Sequence, residues 1–384
     1  VSRFSLDHVP RIVQEPGQLV KLGRLIADLV PAGGTVIVAI DPGLGVTGIA
    51  GRAAAALEEA GYRPILFDRF QSDPTIAQVD AGTALAREAG ARAVVGIGGG
   101  SAMDVGKGIA AIASGDAPTA HYGLCAHSFP ARRIASIVVP TTSGTGSETT
   151  RTAVFADAEH AKIWFWGDQM KADLVVLDPE LTVGLPAHLT AATGIDALVH
   201  AIEAATNANA NEANNLYCHE AIRLVTRHLP VVMAAPADIP ARAGLQWAAT
   251  LAGIAIDNCG TAIAHNIGHA LASLRPIHHG RAVGAAMLAT LPWNIEGDDG
   301  PFARVAAAMG ERAAAAEVPR AFERLIRAAG VKISLAGEGH DEVTPEQLAE
   351  QMRRPENEAM RRSNRRPVAD SDLQRFAAAV LSAA

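Results

Sequence analysis

The sequence predicts an α/β N-terminal half built on a parallel sheet, followed by an all-α C-terminal half. Three observations carry this. Short β-branched apolar runs recur through the first half, alanine-rich segments of helical length separate them, and beyond about residue 180 the runs give way to 3.6-residue periodicity. Thr35–Ile40 (TVIVAI), Arg63–Phe67 (RPILF), Ala93–Ile97 (AVVGI), Ile134–Pro140 (IASIVVP) and Asp173–Asp178 (DLVVLD) are continuous apolar runs. That is the pattern of strands covered on both faces, and so of a parallel sheet. Gly48–Ala60 and Pro74–Ala89 read as helices; the glycines that follow, Gly61 and Gly90, can adopt the left-handed conformation that closes a helix. Repeated βα units place helices on both faces of the sheet. After Asp178–Pro186 (DPELTVGLP) the periodic stretches Leu189–Ala205 and Leu245–Ile256 read as helices. A proline-bearing connection near Leu181 divides the chain into domains 1–180 and 181–384. The charged stretch Arg353–Arg366 (RRPENEAMRRSNRR) reads as a solvated loop.

Composition limits the function. A chain of 384 residues that is 49% hydrophobic and 19% charged can bury a large core without disulfides. With 33 Lys and Arg against 40 Asp and Glu, net −7, and no long basic run, nucleic acid is not an expected partner. Cys125, Cys218 and Cys259 are odd in number and far apart, which suits free, mostly buried thiols in a reducing compartment. No apolar run reaches the ~18 residues of a membrane span. The N-terminal VSRFSLDHVP lacks the apolar core of a secretory signal, so a soluble, cytoplasmic protein is expected.

Three loops leave the carboxyl ends of predicted strands, where open α/β sheets bind ligands. GLGVTG (Gly43–Gly48) satisfies GxGxxG, with Asp68 after the next strand, but Asp41-Pro42 puts a carboxylate where a pyrophosphate would approach. GIGGGSAMDVGKG (Gly96–Gly108) is the stronger candidate. Gly98, Gly99 and Gly100 expose backbone N–H groups, Ser101 begins a helix whose N-terminus favours an anion, and Asp104 and Lys107 follow one and two turns on. Five residues between Gly100 and Gly106, and Gly108 in place of Ser or Thr, exclude a Walker loop and disfavour ATP chemistry. PTTSGTGSE (Pro140–Glu148) adds the hydroxyls of Thr141, Thr142, Ser143, Thr145 and Ser147. Together these loops point to a dinucleotide.

In the helical half Asp196 and His200 are four apart in TGIDALVHAIEA, as are His265 and His269 in AIAHNIGHA, and His278 and His279 follow. Four-apart pairs share a helix face, and two facing helices can build a divalent metal site from them. Asp196 sits in an apolar helix, where an unpaired carboxylate is costly without a cation or hydrogen bonds. Spacing leaves His265 against His269, and His278 against His279, open. Nitrogen and oxygen ligands suit Fe(II) or Zn(II).

GIGGGSAMDVGK, PTTSGTGSE, DPELTVGLPAHLTAATGIDALVHAIEA and AHNIGHALASLRPIHHG resemble the iron-containing (group III) alcohol dehydrogenases nearly end to end. SNRRP (Ser363–Pro367) is similar to the family's Asn-Pro-Arg-Pro stretch, with Arg365 replacing its first proline. The resemblance implies an N-terminal dinucleotide-binding domain and a helical metal-binding and substrate domain, an architecture shared with dehydroquinate synthase. It implies Asp196, His200, His265 and His279 as metal ligands and catalytic residues. His269 becomes a near-metal residue that relays protons or shapes the pocket, and His278 a neighbour. Gly98, Gly99, Gly100, Ser101 and Asp104 belong to the cofactor site on this resemblance. Thr141 and Thr142 line the adenine and ribose side, and Lys162 reaches the nicotinamide ribose. Asp41 matches an acid of NAD-preferring members: it would accept from a ribose hydroxyl and repel a 2′-phosphate, favouring NAD over NADP. A homodimer or larger homo-oligomer is implied as well.

The expected reaction is reversible hydride transfer between a small alcohol or aldehyde and nicotinamide, with the ion as Lewis acid. The competing readings are an NAD-using, metal-dependent lyase or cyclase of dehydroquinate synthase type, which would place a glutamate where Asp196 stands, and a metallohydrolase that turns over without NAD. Ile256, Cys259 and Met360 depart from the family and bear on pocket shape, whereas Trp164 and Trp166 read as packing residues.

Overall fold

The computed structural model describes residues 4–131, 133–297, 300–335 and 339–382. His8–Leu185 forms one compact unit; Pro186–Ala384, with the residues through Asp7, forms the other.

In the first unit six strands form a parallel sheet in the order β1 (Arg11–Gln14), β8 (Leu174–Leu177), β5 (Ala135–Pro140), β4 (Ala93–Gly98), β2 (Thr35–Ile40) and β3 (Arg63–Phe67). Alternation along β2 feeds two cores. Val36, Val38 and Ile40 join Leu57, Val95, Ile97, Val139 and Val176 on one face, and Ile37 and Ala39 join Phe67, Val94, Val105 and Ile109 on the other. Each buried Val, Leu, Ile or Phe side chain among them contributes about 1.5–3 kcal/mol of burial. The helices α1 (Leu22–Leu25), α2 (Ile49–Glu59), α3 (Ile76–Glu88) and α4 (Gly100–Ile112) complete this layer. Gly61 and Gly90 take positive φ after α2 and α3, as expected.

Three features differ from the sequence reading. Arg63–Phe67 is not covered on both faces, because strand order puts β3 at the sheet edge and leaves Leu66 49% exposed. The short edge strand β1 was not anticipated. Nor was the antiparallel pair of β6 (Thr152–Ala156) and β7 (Lys162–Trp166), which packs Phe155 against Phe165.

Among its described residues the second unit has helices and no strand: α5 (Ala187–Thr206), α6 (Glu212–Ala234), α7 (Ile239–Cys259), α8 (Ile263–Leu274), α9 (His279–Asn294), α10 (Gly300–Ala308), α11 (Val318–Ala329), α12 (Pro345–Met352), α13 (Pro355–Ser363) and α14 (Asp370–Leu381). Helix α5 is its axis, buried from Thr190 through Thr206 and surrounded by α6, α7 and α9. A helix enclosed in this way is apolar all round, and its few polar residues therefore stand out. Arg353–Arg366 is not a solvated loop. Most of it is α13, held to α8 where the buried Asn266 amide donates to Met352 O (3.0 Å) and Asn357 O (2.9 Å), while Arg361 and Arg362 face Asp370 and Glu358.

Candidate metal centre and nucleotide loops

In the sheet, β3 lies on one side of β2 and β4 on the other, so chain order reverses between β2 and β4. Such a switch point opens a crevice beyond the strands' carboxyl ends, the general ligand position in open α/β sheets. Asp41 follows β2 there, and Gly98 ends β4 with Gly99 and Gly100 after it, the two strand ends tied together by Asp41 N–H donating to Ile97 O (3.0 Å). The triglycine has a steric reason. Gly98 has φ +148, and a Cβ on it would meet Asp41 Cβ at 2.8 Å; a Cβ on Gly100 would meet Thr145 Cγ2 at 2.8 Å. Below them, Gly106 lets α4 rest on β4, since its Cβ would fall 2.9 Å from Gly96 Cα. Gly99 is the N-cap of α4 and no side chain caps that helix, so its first-turn amides can face an anion.

The GLGVTG segment is instead a 3-10 turn, Pro42–Thr47, and Asp41 Oδ1 accepts from Gly43 N–H (2.8 Å). Thr141 N–H donates to Gly98 O (2.9 Å), and Thr142 is half-buried beside Gly99. Asp104 turns inward. It accepts from Ser147 Oγ and from Val154 N–H (2.8 Å), and Lys107 Nζ stands 3.4 Å away. The fully buried Lys107 ammonium also reaches Ser147 O (2.8 Å) and Thr152 O (2.6 Å), so the acid and the lysine brace the PTTSGTGSE loop from beneath. Lys162, on β7, pairs with Asp73 (2.6 Å), whose N–H donates to Ser101 Oγ (3.2 Å).

The expected ligands converge within the helical unit. Asp196 and His200 project from one face of α5, His265 from α8 and His279 from the first turn of α9; each offers a donor atom, all within 4.8 Å of one another. His200 Nδ1 and His265 Nε2 lie 3.8 Å from Asp196 Oδ1, and His279 Nε2 lies 3.6 Å away. Gly280 makes the last approach possible, because α9 begins directly against the Ala192 carbonyl of α5. Asp196 Oδ1 and His265 Nε2 are buried with no hydrogen-bond partner, which a shared cation would supply. Burial raises the Asp196 pKa, but His200, His279 and His265 outweigh it and hold the carboxyl well below the usual range. Burial lowers that of His265, yet Glu203 and Asp196 carry it up to about 9.

His269 is half-buried one turn after His265, its ring 5.3 Å from that of His279, and His278 is the N-cap of α9. Sequence reasoning missed Glu203, whose carboxylate lies 2.6 Å from His265 Nδ1. Its signal was the acid in HAIEA, on the same face as Asp196 and His200. Cys259 is buried and accepts from Asn214 Nδ2 (2.9 Å). Trp166 is partly exposed under the Arg151 guanidinium (4.6 Å), a packing role.

Comparison with known proteins gives two family matches: iron-containing alcohol dehydrogenase over residues 10–179, and the C-terminal part of the Fe-containing alcohol dehydrogenase family over 190–380. Choline dehydrogenase of Bacillus subtilis (strain 168) is 32% identical, over 81% of this chain and 78% of that protein. The NAD-dependent methanol dehydrogenase of Bacillus methanolicus is 33% identical, over 76% of each. Sulfoacetaldehyde reductase from Bifidobacterium kashiwanohense, solved in complex with NAD+, superposes with a TM-score of 0.90 at 25% identity, covering 100% of both chains.

Proposed function

The chain belongs to the iron-containing alcohol dehydrogenase family, and from that premise we propose how its own residues divide the work. It is a metal-dependent, NAD-linked oxidoreductase of alcohols and aldehydes. The lyase or cyclase and metallohydrolase readings are not favoured: the relatives are dehydrogenases, and an aspartate, not a glutamate, occupies position 196.

The observation that carries the reading is the buried pair of atoms without a hydrogen-bond partner, Asp196 Oδ1 and His265 Nε2, beside donors from His200 and His279. These four residues hold the divalent ion, Fe(II) or Zn(II). When bound, it supplies Lewis-acid polarisation of the substrate oxygen. The amides of Gly98–Gly100 and Ser101 bind the pyrophosphate, while Thr141 and Thr142 line the adenine and ribose side. Asp104 keeps that loop in place, and Lys162 serves the nicotinamide ribose. Asp41 accepts from a ribose hydroxyl and selects NAD over NADP. His269 passes on the substrate hydroxyl proton at a ring nitrogen. Residues 1–180 thus act as the dinucleotide domain and 181–384 as the metal and substrate domain. A cytoplasmic homodimer or larger homo-oligomer belongs to the same proposal, supported by the three free thiols and by the family resemblance.

Asp196→Ala and His265→Ala test it. Both variants are expected to lose metal and to form no NADH from short primary alcohols, diols, lactaldehyde-like compounds or hydroxy acids, while NAD titrates as in the parent. Parent-level turnover in either variant, or in metal-free enzyme, would overturn it.

A further inference from the structure

Glu203 sits on α5 seven residues beyond Asp196 and three beyond His200, so the three side chains share a helix face. Its carboxylate is buried, 3% exposed, and reaches the start of α8. Oε2 accepts from Ala262 N–H at 2.7 Å, Oε1 accepts from Ala264 N–H at 2.7 Å, and Oε2 lies 2.6 Å from His265 Nδ1. Ala262, the N-cap of α8, has no side chain able to cap, so Glu203 satisfies amides that a helix start leaves open. The two amides can only donate. They fix the carboxylate in place, and the oxygen it presents to His265 can only accept. The neutral imidazole that ligation requires therefore carries its proton on Nδ1 and keeps its lone pair on Nε2, the atom 3.8 Å from Asp196 Oδ1.

We propose that Glu203 is a positioning residue for the metal centre: it clamps the first turn of α8 and sets the His265 tautomer, so that the Nε2 lone pair is aimed at the site shared with Asp196, His200 and His279. The inference rests on the metal-dependent reading above. Carboxylates behind ligating histidines act in this way generally, by fixing ring orientation and ligand basicity. Here one acid joins two elements that each supply ligands, so the geometry of α5 is passed to α8 through a single side chain.

The test is Glu203→Gln, which keeps the volume but replaces one accepting oxygen with a donor. The amide cannot accept from both backbone N–H groups and from Nδ1–H, and donation into Nδ1 would drive the proton to Nε2. Zinc affinity, measured by chelator competition without alcohol or coenzyme, is expected to fall about 10–100-fold with NAD affinity unchanged. A helix cap alone would lower the melting temperature and leave zinc affinity at the parent value; that result would overturn the proposal. If E203Q does not fold, 15N-histidine NMR of the zinc-loaded parent decides. A protonated Nδ1 on a ring ligated through Nε2 is expected, and a ring ligated through Nδ1 would overturn the proposal. Failure of the dehydrogenase reading would show separately, as a parent enzyme that binds zinc normally yet yields no NADH.

Discussion

A Cβ on Gly280 would fall 2.1 Å from the Ala192 carbonyl oxygen and 3.3 Å from Asp196 Cβ. Glycine is therefore required there by a close approach of backbones, and the residue before it is His279. Gly280→Ala should force the start of α9 away from α5, destabilising the helical unit by about 1–3 kcal/mol, as overpacking does. It should also pull the His279 ring off Asp196. Thermal melts and metal content of the purified variant check both effects. At this scale the sequence was informative but incomplete. Four-residue spacing exposed the imidazole and carboxylate pairs, whereas the choice of His279 over His278 came only from family resemblance. The structure gives the reason: His278 is the N-cap of α9 and His279 its first residue, so their side chains leave the backbone in different directions. Glu203 escaped notice because its partners lie some sixty residues away and two of the three are main-chain amides, which no residue pattern displays.

Helix α4 and the segment Ser147–Thr152 are held together around one buried ammonium, that of Lys107. Lys107→Met should leave Asp104 with its carboxylate inside the protein and no ammonium beside it. Removing one partner of a buried pair costs about 3–5 kcal/mol. Denaturant unfolding should register that loss, and weaker NAD binding should accompany it as the PTTSGTGSE loop loosens. The sequence marked this element clearly, because a strand, three glycines and a helix follow one another without a gap. It marked others poorly. Arg353–Arg366 looked solvated from its charge, yet a helix needs only one buried side, and Asn357 with Glu356 provides it. The strands β6 and β7 are five residues each, with no strong turn signal between them, and so left little trace.

Across the whole chain, the halves differ as their textures foretold, but strand order is written in no local pattern. The reversal between β2 and β4, which brings Asp41 beside the triglycine, emerges only from tertiary pairing. Global stability should also depend on pH in a defined sense. Burial, then Arg304, pushes the His219 pKa below its ordinary 6.5 against the pull of Glu212. Burial, then Arg227 and Arg223, does the same for His228 against Asp238. Below 6.5 the unfolded chain takes up protons that the folded chain refuses. Through these two groups the native state loses stability as pH falls below 6.5 toward the folded values. His219→Asn should lose less stability on acidification than the parent, as urea titrations on either side of pH 6.5 would measure. A practical consequence follows from the thiols. Cys218 and Cys259 are buried on helices, with burial pushing the latter up to about 11, whereas Cys125 is exposed at the end of a 3-10 turn next to β7. A maleimide fluorophore would thus find a single address, and light from it would report on the His8–Leu185 unit without any engineered attachment point.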